Sequence, residues 1–377
     1  MKDFTSPDCP ECDGLDRRGF VRSLAVGGAA LAIGAPALLP STVRAERGPM
    51  PRVINTVAED LVKELYAGLD ADQKKAVVKP WDHPARKSVN PNKALDKKIG
   101  TVYTKPQQEL VEKIVRAIAS DDKGWHQITR AGTWDASKSF DQTGADIFGD
   151  PTTGKFAFQF TGHHLTIRCD GDSEDGAAFG GPIYYGHTPN GYHPSNVFAY
   201  QTQQVMKAYD ALDEKQRKAA TVTMGTPGEG AKSIQLKKDA KHPGIAYADL
   251  SKDQQELMEQ VMKAVLSPFR QQDGAEVVTI IKAMGGMAKV HLAFYSEEWE
   301  KTPTSEKQPW SFWRLEGPGF VWNFRVLPHV HTFVNIASRL TVCSPHQGVF
   351  HVPLPPRRLL RGPHHRRPGL GRSGVRR

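Results

Sequence analysis

The segment YAGLDADQKKA, residues 66–76, returns as YDALDEKQRKA at residues 209–219. Six of the eleven positions are identical, which points to an internal duplication. In each copy an aspartate is followed three residues later by a glutamine. That spacing is typical of a helix N-terminus whose first backbone N–H groups are capped by side chains. The sequence therefore predicts the same helix start twice.

A second pair of segments follows at nearly the same separation. Residues 104–112 read TKPQQELVE, and residues 251–259 read SKDQQELME. A hydroxyl residue again lies three positions before a glutamine, and apolar residues recur behind it at helical spacing. These apolar residues predict one buried helix face in each copy: Leu110, Val111, Ile114, Val115 and Ile118, then Leu257, Met258, Val261, Met262 and Val265.

Each helical block leads to a segment in which aromatic residues alternate with other types. These segments are FAFQF at residues 156–160 and FVWNF at residues 320–324. Alternation with a period of two is typical of a half-buried strand. We therefore expect an α+β fold of two similar halves, each a helical block followed by antiparallel strands, in one pseudo-symmetric domain. The domain is expected over residues 46–338, with halves at about 53–175 and 196–338.

The N-terminal residues have the pattern of a twin-arginine export signal. The motif RRGFVR, residues 17–22, precedes a run rich in glycine and alanine at Leu24–Leu39 and a small-residue cleavage site at Val43–Ala45. The run is shorter than the roughly 20 apolar residues that a spanning helix needs. We expect residues 1–45 to be a cleaved signal, the twin-arginine translocation machinery to be a partner, and no stable membrane span to remain. The protein would be periplasmic or secreted.

The net charge of +9 is concentrated at the C-terminus. Residues 340–377 contain eight arginines and no carboxylate, so the rest of the chain carries a net charge of only +1. Nucleic acid is therefore not expected as a partner of the folded part. Residues 339–377, rich in proline and arginine, are interpreted either as a disordered basic tail or as the product of translation out of frame.

Histidines follow both aromatic strands. His163 and His164 come after the first strand, and His329 and His331 after the second. Residues i and i+2 of a strand share a face, so His329 and His331 can bind one ion together. His163 and His164 would point to opposite faces, so only one of them is expected to join. Ordinary polar roles for all four side chains remain the alternative.

The chemistry expected of such a cluster depends on its partners. Neutral imidazoles with a carboxylate suit a divalent transition metal, namely zinc, copper or iron. Glu316 is the candidate catalytic carboxylate, either at the metal or beside a histidine that acts as a general base. Stricter catalytic motifs, such as H-E-x-x-H or a P-loop, are absent from the sequence.

Between the halves lies a stretch dense in glycine and proline, residues 179–195. That composition predicts a loop. Four of its tyrosines and histidines, namely Tyr184, His187, Tyr192 and His193, are candidates for contacting a small-molecule ligand. The competing interpretation of this stretch is a linker.

Several of these motifs together resemble the bacterial "domain of unknown function 3500" family. They are the twin-arginine signal, the L-D-x-x-Q-[KR] helix starts, Gln-Gln-Glu-Leu, the GHHL segment at 162–165, and Gly317-Pro318 ahead of the His-x-His at 329–331. The resemblance covers about Val53 to Ile336. It implies export and one continuous domain, and it implies no particular activity or catalytic residue.

Two functions are consistent with these patterns. The first is an exported, metal-dependent enzyme whose histidine site lies between the two repeats, with hydrolysis and oxidation both open. The second is a non-catalytic periplasmic protein that binds a small molecule through residues 184–193. Whether the protein is an enzyme is left open by the sequence.

Overall fold

The computed structural model describes residues 57–89, 97–237 and 241–338. The predicted signal at 1–45 and the predicted tail at 339–377 lie outside the described residues. The α-helices of the described part are α1 (Val57–Ala67), α2 (Ala71–Val77), α3 (Ile99–Val102), α4 (Lys105–Ile118), α5 (Asp122–Thr129), α6 (Ala199–Asp210), α7 (Glu214–Ala220), α8 (Lys252–Leu266) and α9 (Gln271–Ala283). Over these ranges, none of the helices has the length and hydrophobicity needed to cross a bilayer.

The strands form one mixed sheet of eleven. They are β1 (Val78–Lys79), β2 (Gly144–Asp150), β3 (Lys155–Gly162), β4 (Leu165–Cys169), β5 (Ile183–His187), β6 (Thr221–Val222), β7 (Ile245–Ala246), β8 (His291–Tyr295), β9 (Phe312–Gly317), β10 (Phe320–Arg325) and β11 (Val330–Ile336). Their order is β1-β2-β3-β4-β5-β11-β10-β9-β8-β6, with β7 pairing β8 off this path. The α+β class is confirmed, as are the two predicted aromatic strands, which are β3 and β10.

The predicted helix starts form as the spacing requires. Asp70 Oδ1 accepts from the Gln73 backbone N–H at 2.8 Å, and the Gln73 side chain accepts from Asp70 N–H at 3.1 Å. Asp213 and Gln216 repeat this exchange at 2.8 and 3.0 Å. Each reciprocal pair satisfies two backbone donors that a helix N-terminus otherwise leaves free.

The helices cover one face of the sheet with apolar side chains. The predicted stripes on α4 and α8 are buried apart from the partly buried Leu110 and Leu257, and Met258 and Met262 are packing residues of the core. Large aromatic side chains of the strands face them; for example, Trp313 stacks on Phe324 with ring centroids 4.6 Å apart. This layer holds most of the buried apolar surface.

The opposite face of the sheet is polar although it is also buried. Side chains on neighbouring strands lie next to one another there: Asp146, Gln159, Arg168, Thr166, Tyr184, His331, Arg325 and Asn323. Two segments cover them. Ser88 O, in the segment 83–89, accepts a hydrogen bond from Arg168, and Gly228 O, in the segment 225–237, accepts one from Asn323. Buried polar groups need such partners, so this face is organised by hydrogen bonds rather than by packing alone.

The prediction that residues 179–195 form a loop is wrong for their central part. Ile183–His187 is β5, which pairs with both β4 and β11 in the middle of the sheet. Gly186 is required there because a Cβ at this position would lie 2.3 Å from Val330 O. The strand was hidden from the sequence because both of its faces are buried and a glycine interrupts its pattern.

The prediction that His163 and His164 lie on a strand with opposite faces is also wrong. The two residues form the turn between β3 and β4, and His164 has a φ of +53°. The two-residue alternation of a strand does not apply in a turn, so both side chains point to the same side. Their ring centroids are 3.9 Å apart.

The capping pairs lead to a test of local stability. We expect Asp213→Ala to lower the free energy of unfolding by about 1 kcal/mol, because the Gln216 backbone N–H at the start of α7 loses its acceptor. Urea unfolding measures this difference. Lys218→Ala, an exposed residue of the same helix, should change the free energy by less than about 0.5 kcal/mol. Equal effects of the two substitutions would contradict the role of the cap.

Candidate metal centre

Three histidines converge on the polar face of the sheet. His164 Nε2 lies 3.0 Å from His331 Nε2, which in turn lies 2.8 Å from His329 Nε2. All three ligand atoms fall within 4.8 Å of one another. His164 comes from the β3–β4 turn, His329 directly precedes β11, and His331 lies within β11. The joining of β5 to β11 in the centre of the sheet brings these segments together.

The outer nitrogens of two of these rings are held by carboxylates. His164 Nδ1 lies 3.0 Å from Asp135 Oδ2, and His331 Nδ1 lies 2.9 Å from Glu229 Oε1. A carboxylate only accepts hydrogen bonds, so each Nδ1 carries the proton and donates it. In both rings Nε2 is therefore the unprotonated nitrogen. This carboxylate–imidazole arrangement is the usual support of a metal-ligating histidine.

The third ring presents a lone pair to the same point. Arg325 Nη2 donates to His329 Nε2 at 3.0 Å, which requires an unprotonated nitrogen there. The Nε2 lone pairs of His164 and His331 thus oppose each other at 3.0 Å, while that of His329, 2.8 Å from His331 Nε2, is held by Arg325. Lone pairs repel, so the arrangement calls for a positive charge among them.

Asp135 anchors more than one ring. Its Oδ1 lies 3.0 Å from His163 Nδ1, and its Oδ2 lies 3.0 Å from the Nδ1 atoms of both His164 and His187. Burial raises the pKa of Asp135, but the hydrogen bonds from the three histidines outweigh it and hold that pKa well below its usual range. Asp135, His163 and His164 also form a second group with metal-ligand spacing.

The backbone around this anchor is strained. Asp135 has a φ of +54°, and the preceding Trp134 has the same value. Residues other than glycine rarely adopt this left-handed conformation. Holding a residue in it costs on the order of 1–3 kcal/mol per residue. Strain of this kind is concentrated at functional sites, and here it places the Asp135 carboxylate among three imidazoles.

Two arginines line the site. Arg325 Nη1 lies 3.1 Å from Glu229 Oε1, and its Nε donates to His329 O at 3.0 Å. Arg130 Nη2 donates to His163 O at 2.6 Å. Arg130 and Arg325 are both buried, so their charges act with little screening by water.

Burial keeps the three converging rings neutral. Burial, with Arg325 and the neighbouring imidazoles, lowers the pKa of His329 to about 3. The same causes lower the pKa of His331, and burial lowers that of His164 despite the opposing effect of Asp135. Neutral imidazoles are the form that binds metals.

The other predicted site residues divide between this site and other places. Tyr184 packs against His331 with ring centroids 5.5 Å apart, and His187 reaches Asp135, so both lie at the site. Tyr192 instead donates to Trp310 O at 2.8 Å, and His193 bonds to Ser195. The structure therefore does not bring Tyr192 and His193 to the histidine cluster.

Glu316, the predicted catalytic carboxylate, is held elsewhere on the same face. Arg314 Nε and Nη2 donate to its two oxygens at 2.8 and 3.0 Å, and His242 Nδ1 lies 3.7 Å away. Phe312 of β9 is level with Arg325 and His331, and Glu316 lies four residues further along β9. It is thus about 13 Å away from the triad along the strand direction.

Sequence reasoning missed the residues that orient the rings. Asp135 lies in a turn, and Glu229 lies between two glycines in the segment 225–237. Glu229 is 102 positions away from its partner His331. Neither Asp135 nor Glu229 lies in a periodic sequence pattern. The sequence therefore offered only the general rule that a metal-ligating histidine usually donates its second ring N–H to a carboxylate, which does not say which carboxylate.

Fold and site together define an α+β protein with a buried three-histidine cluster on the polar face of one mixed sheet. The family described as "Protein of unknown function (DUF3500)" matches residues 53–338, and the chain belongs to that family. The resemblance predicted from the motifs is confirmed. Comparisons with curated proteins and with solved structures found no match.

The lowered pKa values lead to a pH prediction for protein treated with chelator. In the unfolded chain histidine takes up a proton below about pH 6.5, whereas in the folded protein the pKa of His329 is about 3. Between these values the unfolded state binds more protons, so stability is lost as the pH falls. We expect the urea midpoint to drop between about pH 7 and about pH 5, and to drop less in His329→Gln.

The exposed helical residue His126 provides the control. His126→Gln should show the same drop as the unsubstituted protein. A drop in His329→Gln as large as that in the control would contradict the assignment of a buried, neutral ring.

Proposed function

We propose that this protein is a metal-dependent enzyme that holds one divalent transition metal ion with His164, His329 and His331. The observation that carries the proposal is the pair of facing Nε2 atoms of His164 and His331, 3.0 Å apart, in two rings whose Nδ1 atoms are fixed by carboxylates. Hydrogen bonding between these two Nε2 atoms would require a proton that neither atom carries. A cation removes the repulsion.

The distances suit coordination. With metal–nitrogen bonds of about 2.0–2.1 Å, two ligands at a right angle lie about 2.8–3.0 Å apart and two at a tetrahedral angle about 3.3–3.4 Å apart. The two Nε2 separations of 2.8 and 3.0 Å are near the first value. Three protein ligands also leave at least one position open for water or substrate, as is usual in catalytic rather than structural zinc sites.

Three neutral ligands shape the chemistry such an ion would supply. An ion held by three neutral imidazoles would keep its full charge of +2, and it would supply Lewis-acid chemistry or an activated water. Zinc, copper and iron all accept imidazole, and hydrolysis or oxidation would follow from the metal's identity. Asp135 and Glu229 hold the rings in place, and the protein supplies a buried setting in which the charge is little screened.

The alternative function is ligand binding without catalysis. It rested on residues 184–193 acting as a loop that contacts a small molecule. Tyr192 and His193 are engaged with Trp310 and Ser195 instead, and Tyr184 and His187 belong to the histidine site. The alternative therefore keeps less support than the enzyme.

We also propose that the protein acts outside the cytoplasm, after export by the twin-arginine pathway. The support is the RRGFVR motif at residues 17–22 with the apolar run behind it. A fusion of residues 1–45 to a reporter that is active only after export would test this. Loss of export on replacing Arg17 and Arg18 with lysine is the expected result.

We further propose that the fold arose by duplication, with a pseudo-twofold axis between β5 and β11. In support, each half contributes five consecutive positions of the sheet, from β1 to β5 on one side and from β6 through β8, β9 and β10 to β11 on the other. The two outermost short strands, β1 and β6, both run parallel to their neighbours. The glutamines of the capping pairs also match. Gln73 Nε2 donates to Gln107 at 2.7 Å, and Gln216 Nε2 donates to Gln254 at 2.9 Å.

Elemental analysis tests the metal directly. We expect protein purified without chelators, or chelated and then reloaded with zinc, to hold one tightly bound ion per chain at this site. His331→Ala should lose it, because the central ligand is removed. His193→Ala, which removes an exposed histidine bonded only within its own turn, should retain it. Equal metal content in the two variants would refute the assignment.

The supporting carboxylates give a graded version of the same test. Asp135→Asn and Glu229→Gln keep the size of the side chains but weaken the acceptor for the Nδ1 proton. We expect each to lower metal affinity by about 10- to 100-fold without abolishing it. Competition with a chromophoric chelator measures the affinity. Glu316→Gln, about 13 Å away along the strands, should leave the affinity unchanged.

A further inference from the structure

Arg325 has a donor that would lose its acceptor when a metal binds. Its Nε and Nη1 are engaged by His329 O and Glu229, while Nη2 donates to the lone pair of His329 Nε2 at 3.0 Å. A metal ion takes that lone pair. The Nη2 donor then needs a new acceptor, and it lies beside a ligand atom of the ion. An oxygen bound to the metal would be within its reach.

Tyr184 supplies a second donor at the same place. Its side chain is fully buried, and among the described residues its hydroxyl has no hydrogen-bond partner. This hydroxyl lies beside His331: the two rings pack with centroids 5.5 Å apart, and a Cβ at Gly186 would lie 3.2 Å from Tyr184 Oη and 3.3 Å from His331 Cδ2. A buried hydroxyl without a partner costs about 1–3 kcal/mol. A ligand that accepts its proton would recover that cost.

The charges of the site call for an anion. Asp135 and Glu229 carry two negative charges, and Arg130 and Arg325 carry two positive charges. Glu300, 3.6 Å from Arg325, is 54% exposed and is largely offset by solvent. With neutral imidazoles, a divalent ion leaves a surplus of two positive charges in a buried place. Uncompensated buried charge is costly, so a negatively charged ligand is favoured.

We infer that the metal-loaded site binds a small carboxylate, with one oxygen on the metal and hydrogen bonds from Arg325 Nη2 and the Tyr184 hydroxyl. The substrate of the enzyme would then carry a carboxylate group. This inference rests on the metal site proposed above. It assigns Arg325 and Tyr184 to substrate binding, a role that the sequence did not indicate for Arg325.

The number of donors distinguishes a carboxylate from a phosphate. A carboxylate has two oxygens, and the metal, Arg325 Nη2 and the Tyr184 hydroxyl satisfy both of them. A phosphate has at least three free oxygens, so at least one of them would be left without a donor in a buried site. Among the described residues, the buried Nε of Arg130 is the one further guanidinium donor at this site without a partner. A single extra donor would not satisfy all the remaining oxygens of a free phosphate.

Cobalt(II) in place of the native ion reports on ligand binding through its visible absorption spectrum. We expect acetate to change the spectrum saturably, whereas acetamide, which has nearly the same shape without charge, leaves it unchanged. Phosphate should bind more weakly than acetate. Equal responses to acetate and acetamide, or phosphate binding alone, would overturn the carboxylate assignment.

Tyr184→Phe then tests the geometry. It removes only a hydroxyl without a hydrogen-bond partner in the described part of the chain, so cobalt affinity should stay the same while acetate affinity falls roughly three- to tenfold. Tyr185→Phe, on the same strand but facing the helices and bonded to Gln201, should leave acetate affinity unchanged. Failure of the protein to bind cobalt would refute the proposed metal site. Normal cobalt binding with no response to acetate would refute only the carboxylate inference.

Discussion

The site depends on a conflict between the Nε2 lone pairs of His164 and His331 that the protein itself creates. Asp135 and Glu229 each accept the Nδ1 proton of one ring and thereby leave its Nε2 unprotonated. The strand pairing of β5 with β11 then brings these two nitrogens to 3.0 Å from each other, with His329 Nε2 2.8 Å from His331 Nε2. A protein gains nothing in stability from such an arrangement alone, and a bound cation converts the repulsion into attraction.

The architecture explains how so many polar groups are kept in place. One face of the sheet is covered by helices and holds the apolar core, so the other face is free to be polar without loss of the core. Segments 83–89 and 225–237 close that face and supply the hydrogen bonds its side chains need. Glu229 comes from one of these covering segments. The covering layer therefore orients part of the site as well as shielding it from water, and low exposure strengthens every charge interaction inside.

The sequence predicted what is encoded locally. The helix starts at Asp70 and Asp213 follow from a three-residue spacing, and the strands β3 and β10 follow from alternation. The meeting of His164 with His331 was expected from the repeats. Under the proposed duplication, counting inward from each sheet edge would make β4 rather than β3 the counterpart of β10. The role of Asp135 could not be predicted from the sequence, because the direction of its carboxylate is set by a left-handed backbone conformation in an irregular turn. Glu316 was chosen for its position in the sequence, and its register on β9 places it elsewhere.

The protonation state of each ring nitrogen in His164 and His331 tests the proposed site most directly. Nitrogen-15 NMR of histidine-labelled protein distinguishes a protonated from an unprotonated imidazole nitrogen, and His164→Gln and His331→Gln assign the signals. At neutral pH and without metal, we predict that both rings carry the proton on Nδ1 and that zinc shifts only their Nε2 resonances. Rings protonated on Nε2, or Nε2 signals that do not respond to zinc, would contradict the claim that these lone pairs are directed at a common ion.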